Sequence, residues 1–294
     1  MHRQEAVFHD FADALVKEIR LRQNEISEEV NTLYIGGGTP SVLPLCVFER
    51  ILSVLTEVGH GGPYEEFTVE VNPEDIVEKG EDYVRGLVSL GVNRISMGVQ
   101  SFDDGILKFM NRRHDADTAR RAYAILENAG VGNISIDLIF GLPQLSDLQW
   151  QETLDMALSI SPSGYMPQHI SAYQLSVEPG SMLARMVEKG MWQEASEEVC
   201  ERQYSMLCRT LRKAGYHHYE ISNFALPGHE ARHNSAYWRH VPYVGFGPGA
   251  HSFTNHSQTL HQASGGGNKG FRFWNEPDLK GYIEDQRSHV GMRN

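Results

Sequence analysis

Ile134-Ser135-Ile136-Asp137-Leu138-Ile139-Phe140 runs directly into Gly141-Leu142-Pro143. A short apolar run closed by glycine and proline reads as a buried strand followed by a turn. Upstream, Ala122, Ile125, Leu126 and Ala129 share one helical face, with Asp117 as the expected N-cap and Gly130 as the C-terminal stop. The same strand-then-turn form recurs four times. Thr32–Ile35 precedes Gly36-Gly37-Gly38, residues 67–71 precede Asn72-Pro73, residues 94–97 precede Gly98, and residues 169–175 form a fifth run. Amphipathic segments lie between or before them: Phe11, Leu15 and Ile19 at spacing four, and Val47, Ile51, Leu52 and Leu55. Strands alternating with helices predict an α/β fold, with parallel strands joined by helical crossovers in a barrel or open sheet.

The rhythm changes near Val177. Helices are expected over 181–189 and 195–214, then an irregular segment rich in His, Tyr, Gly and Pro over 216–253, and a polar glycine-rich loop over 264–269. The expected division is a partial barrel over 1–176 and an accessory segment over 177–294, itself expected to be truncated.

Composition narrows the function classes. The chain has 294 residues, 40% of them hydrophobic, enough for one large domain or somewhat more. Its net charge of -12, without a Lys/Arg block, argues against nucleic-acid binding. No apolar stretch approaches the ~20 residues of a membrane span, and the first ten residues show no signal-peptide core. Cys46, Cys200 and Cys208 match no disulfide, zinc or cluster spacing, so a reducing cytoplasm is the expected location. Cys200 and Cys208, eight apart in a helical stretch, read as small buried apolar residues.

Parallel α/β folds bind ligands at the C-terminal ends of their strands. Five places qualify here. Gly36-Gly37-Gly38-Thr39 lets a ligand approach the backbone closely. Glu70 offers a carboxylate to an ammonium, and Gln100 follows a third strand. Arg112 carries a fork suited to a carboxylate, and Asp137 offers acceptors for the two hydroxyls of a ribose. Each alone also fits a surface or structural role. Together they provide partners for an amino group, a carboxylate and a ribose, the parts of an amino-acid nucleoside.

The ordered series LYIGGGTPS (33–41), VEVNPE (69–74), NRISMGVQSF (93–102), MNRRH (110–114) and SIDLIFGLP (135–143) resembles the radical S-adenosylmethionine (SAM) family of oxygen-independent coproporphyrinogen III oxidase and the HemW heme chaperones. The resemblance runs from about residue 11 to about residue 253. It implies an incomplete parallel (β/α) barrel of six units, here without its first strand, plus a partial C-terminal accessory domain. It also implies that Gly37, Gly38 and Thr39 hold the methionine end of SAM, that Glu70 and Gln100 line that site, that Arg112 pairs with the SAM carboxylate and that Asp137 binds the ribose. The family's CxxxCxxC motif, whose thiolates hold a [4Fe-4S] cluster, does not occur in these 294 residues. The three cysteines present do not converge on one loop, so no radical cleavage of SAM is expected of this chain. The cluster is expected only in a longer form.

Within 216–253, His233-Asn234-Ser235-Ala236-Tyr237-Trp238 resembles the HNxxYW pattern of the HemW branch, where it is associated with heme binding. An exposed His233 beside Tyr and Trp offers an axial nitrogen and an apolar wall for a porphyrin. The competing reading is a histidine bridging within a loop while the aromatics pack. The resulting expectation is a cytoplasmic HemW-like protein that binds SAM and heme and passes heme to accepting proteins. Two alternatives stay open: oxidative decarboxylation of coproporphyrinogen III, and ordinary SAM-dependent methyl transfer. His229-Glu230-Ala231-Arg232-His233 matches the HExxH zinc-protease string, but Pro227-Gly228 precedes it and no helical periodicity surrounds it. The glycine run over 245–249 lacks the lysine of a phosphate-binding loop.

Overall fold

A computed structural model describes residues 2–26, 29–255, 270–285 and 290–293. The glycine-rich loop expected over 264–269 lies outside them. The strands are β1 (Thr32–Ile35), β2 (Glu66–Val71), β3 (Arg94–Gln100), β4 (Ile134–Phe140), β5 (His169–Gln174), β6 (His217–His218), β7 (Asn223–Ala225), β8 (His251–Thr254), β9 (Phe271–Asn275) and β10 (Val290–Arg293). The helices are α1 (His2–Leu21), α2 (Leu45–Glu57), α3 (Pro73–Ser89), α4 (Asp104–Phe109), α5 (Ala116–Asn128), α6 (Asp147–Leu158), α7 (Met182–Glu188), α8 (Glu197–Lys213), α9 (Arg232–Trp238) and α10 (Leu279–Asp285).

Seven strands form one sheet in the order β1-β2-β3-β4-β5-β7-β6. β2 to β5 pair in parallel, as the strand–helix alternation requires. β7 adds antiparallel to β5, and β6 to β7. The segment over 216–253, expected to be irregular, therefore holds β6, β7, α9 and the start of β8. Two- to four-residue strands are too short to show a period, which is why the sequence concealed them. The N-cap of α5 is Asp115, whose side chain accepts the Thr118 N–H, and not Asp117. Both aspartates fit the cap by composition, and the helix start decides between them.

The parallel strands sort their side chains by period two. One face carries Phe67, Val69 and Val71, then Ile95, Met97 and Val99, then Ile134, Ile136, Leu138 and Phe140, then Ile170 and Ala172, all buried. The other face is polar: Thr68 and Glu70, Arg94 and Ser96, Ser135 and Asp137, His169 and Ser171. Cross-strand bonds confirm the shared face, with Ser96 donating to Asp137 and Ser135 paired with His169 Nδ1 at 2.7 Å. Helix starts are set by side-chain caps from Asp103, Asp115, Ser146, Ser181 and Ser196.

Contacts group the chain into two compact units, Tyr34–Val42 with Phe67–Ala231, and Met1–Leu33 with Leu43–Glu66 and Arg232–Asn294. The second unit contains α1, α2, α9, α10 and a three-stranded antiparallel sheet, β10-β9-β8. A boundary at residue 176 marks where the strand–helix repeat stops, and the compact units follow a different line. Among the described residues no helix is long and apolar enough to cross a membrane.

Candidate functional site

The polar strand face leads to the loop after β1. Glu70, next to last in β2, holds that loop: Oε2 accepts the Gly37 N–H at 2.9 Å and Oε1 accepts the Tyr34 hydroxyl at 2.5 Å. Gly37 and Gly38 take φ of 77° and 64°, the left-handed region that favours glycine, and nothing lies within 4 Å of where a Cβ would project. Gly36 is glycine for a different reason, since a Cβ there would sit 2.8 Å from the Glu70 carboxylate. The loop is thus pinned from one side and open on the other.

β3 ends at Gln100, whose φ is 67°, and its register on β4 shifts between Met97 and Gln100. The irregularity turns the amide back over Gly98, where a Cβ would meet Gln100 Nε2 at 2.8 Å. Bulges of this kind re-aim side chains beside ligand sites.

Three basic residues follow α4 in a row, and the structure treats them differently. Arg113 Nη2 reaches Glu74 Oε1 and Asp75 Oδ1, each at 3.0 Å. His114 places Nδ1 at 3.1 Å from Glu74 and Nε2 at 3.0 Å from the Val99 carbonyl. Arg112 is half-buried and, among the described residues, has no carboxylate within ion-pair distance. Burial pulls its guanidinium below the ordinary value, while Glu74 and Asp137 act electrostatically in the opposite sense.

Asp137 sits in the middle of β4 rather than at its end. Burial pushes its carboxyl up to about 6, opposed by hydrogen bonds from Ser171 and Ser96, with Glu70 adding repulsion and Arg94 attraction. Tyr173 on β5 is also pushed up, to about 12, by burial and by Asp137. Glu70, Arg112 and Asp137 therefore share one electrostatic neighbourhood, joined by Tyr34, Ser96, Ser171 and Tyr173. Those last four escaped the sequence reading, although Tyr34 precedes Gly36 by two and Ser171 and Tyr173 alternate in phase on β5. The arrangement offers carboxylate acceptors, a guanidinium without an ion-pair partner among the described residues, and an open glycine backbone.

His233 occupies the other compact unit. It is half-buried, not exposed as expected, because α9 holds it against β1. Its Nδ1 lies 2.8 Å from Thr32 Oγ1 and its Nε2 lies 2.9 Å from the Tyr237 hydroxyl. The Glu66 carboxylate accepts the N–H groups of Arg232 and His233 at 2.8 and 2.9 Å, fixing the start of α9. His229 and Glu230 precede that helix, so the two histidines of HExxH do not share a helical face. The glycine run over 245–249 serves packing: a Cβ on Gly245 would meet the His251 carbonyl at 2.2 Å.

Among the described residues no three His, Cys, Asp or Glu side chains are placed to hold a metal. Cys46 is exposed, Cys200 buried and Cys208 half-buried. This donor set does not fit a [4Fe-4S] cluster, which needs converging thiolates. The glycine loop, Glu70, Arg112 and Asp137 do fit SAM.

Residues 5–157 match the radical SAM superfamily. The chain belongs to that superfamily. Among radical SAM proteins it is 34% identical over 244 residues to the heme chaperone HemW of Synechocystis, covering 83% of this chain and 57% of that protein. It is 35% identical over 243 residues to HemW of Lactococcus lactis, covering 83% and 61%. The structure of the radical SAM enzyme coproporphyrinogen III oxidase (HemN) from Escherichia coli superposes with a TM-score of 0.74 at 22% identity, over 98% of this chain and 65% of that one. That likeness establishes the fold, an incomplete radical SAM barrel of the HemN type. The chain spans about three fifths of the length of these HemW relatives.

Proposed function

We propose that this chain is a HemW-like heme chaperone: a SAM-binding partial barrel that also binds heme and delivers it to accepting proteins in the cytoplasm. The observation that carries this reading is the 34–35% identity to HemW chaperones across 83% of the chain. The geometry supports the SAM half. Glu70 suits the ammonium of the methionine moiety, Arg112 its carboxylate and Asp137 the ribose hydroxyls, while Gly37, Gly38 and Thr39 present backbone to the methionine end and Gln100 lines the same strand ends. His233, with Tyr237 and Trp238 beside it on α9, supports the heme half. The described cysteines do not assemble the donor set of a cluster.

Titration of the purified chain with hemin, followed at the Soret band, tests the heme half. A one-to-one shift that weakens in His233→Ala is expected. A folded chain that shows no stoichiometric shift would refute the heme half and leave the SAM half standing.

A further inference from the structure

β3 closes on a strained turn. The Ser101 N–H donates to the Val99 carbonyl at 2.8 Å, and Gln100 between them has a φ of 67°. A hydrogen bond from i+2 back to i around a left-handed residue is a γ-turn of the rarer, strained kind. Glycine takes that conformation freely, whereas glutamine takes it at a cost that its surroundings must offset. His114 contributes to that offset. It is 5% exposed, and its Nε2 donates to the same Val99 carbonyl at 3.0 Å, since a carbonyl only accepts. Both lone pairs of the oxygen are then in use, and the peptide plane leading into Gln100 cannot rotate without losing both bonds.

The far side of the imidazole is anchored as well. Nδ1 lies 3.1 Å from Glu74 in the first turn of α3, and Glu74 is held in turn by the exposed Arg113 at 3.0 Å. His114 therefore bridges the end of β3 and the start of α3, while its own backbone belongs to the turn between α4 and α5. Arg112 lies in that turn, two residues earlier. Its backbone is fixed from the other side. α4 ends with Asn111 at a φ of 55°, whose N–H donates to the Lys108 carbonyl at 3.1 Å, and the Arg112 N–H donates to the Leu107 carbonyl at 2.9 Å. That pair of bonds is a Schellman closure with asparagine in the left-handed position. The chain is thus pinned before and behind Arg112, and the side chain is what remains to move.

We propose, on the basis of the SAM reading above, that His114 is a positioning residue of that site. It holds Gln100 in the strained turn and fixes the chain behind Arg112, so that both side chains stand in place for the methionine end of the ligand before the ligand arrives. Preorganisation of this kind lowers the ordering cost that binding otherwise carries. His114 acts through those two residues.

Two measurements test this with His114→Ala and, to guard against a failure to fold, with His114→Gln, which keeps a polar side chain in the buried position. The first is urea unfolding of the ligand-free chain, alone and in a Gln100→Gly background, where glycine relieves the turn. The fall in midpoint caused by the His114 substitution should shrink by roughly half or more in that background. An equal fall in both backgrounds would mean that His114 only fills the core, and would overturn the assignment. The second is calorimetric titration with SAM and with 5′-methylthioadenosine, which keeps the nucleoside and lacks the amino-acid end. His114→Ala should weaken SAM roughly tenfold or more and leave 5′-methylthioadenosine within about twofold. A parallel loss of both would also overturn the positioning role, because a general loosening of the fold moves both together. Folded wild-type chain that binds neither probe would remove the SAM reading and the ligand half of this assignment with it, and the unfolding comparison would still decide whether His114 holds the turn.

Discussion

Glu18 and Asp137 are both carboxylates withdrawn from bulk water, and the chain completes one and leaves the other unfinished. Glu18, 5% exposed, accepts from Arg22 Nη1 at 2.6 Å, Tyr282 OH at 2.6 Å, Asn275 Nδ2 at 2.7 Å and the Gly247 N–H at 2.8 Å. Its partner Arg22 is closed in turn by Glu25, the Gly245 carbonyl and Ser252. Asp137 receives only serine hydroxyls, from Ser96 and Ser171, and the nearby Arg112 reaches no carboxylate within ion-pair distance among the described residues. A buried ion with every lone pair met ties elements together, here α1, α10, β8, β9 and the 245–249 loop. A buried ion left short of partners is maintained at a cost in stability, and a ligand with the missing groups completes it.

The contrast is breakable, first at its strongest point. Glu18→Ala removes one of the two carboxylates that pair with Arg22 and takes an acceptor from three buried neutral donors, so it should cost about 3–5 kcal/mol in urea unfolding; a loss below about 1 kcal/mol would mean that this network is not an anchor. Next, Arg112→Met should weaken SAM binding roughly 10- to 100-fold, the range of a charge-assisted hydrogen bond, with the thermal midpoint unchanged. Arg113→Met, one residue on, should leave SAM affinity within about twofold, because its partners are Glu74 and Asp75. Equal losses from the two variants in calorimetric titration would erase the distinction.

The smallest effect is expected at Asp137. Burial raises its folded pKa from 3.8 to about 6, so the neutral form is favoured on folding. The resulting stabilisation is complete below pH 4 and disappears as pH rises through 6. Asp137→Asn mimics the neutral form. It should therefore raise the melting temperature of the ligand-free chain by about 2–4 °C above pH 6, with no gain below pH 4, while weakening SAM binding. A melting gain that is independent of pH would assign the effect to packing.

Much of this was legible in the residues. The first five strands stood out because a strand buried on one side against helices must be apolar at alternate positions, and glycine or proline must end it. The candidates Glu70 and Gln100 follow from the same geometry, near the ends of β2 and β3, whereas Asp137, expected at a strand end, lies in the middle of β4. Tyr34, Ser96, Ser171 and Tyr173 were within reach of the same period-two argument, since they occupy the polar phase of strands already identified. β6, β7 and α9 were not, because so short an element has no period to detect.

Local sequence determined the chain's alternating pattern, its strand ends and the identity of the charges placed there, because those depend on residues within a few positions of one another. Partnership was decided by tertiary structure alone. Nothing in Arg112-Arg113-His114 says which cation is left open, for Glu74 and Asp75 lie nearly 40 residues away. Glu18 is completed by residues 229 to 264 positions distant, and His233 is oriented by Thr32, 201 positions away. Whether a charge is an anchor or a binding group depends on the sum of the partners that reach it, and that sum exists only once the chain has folded.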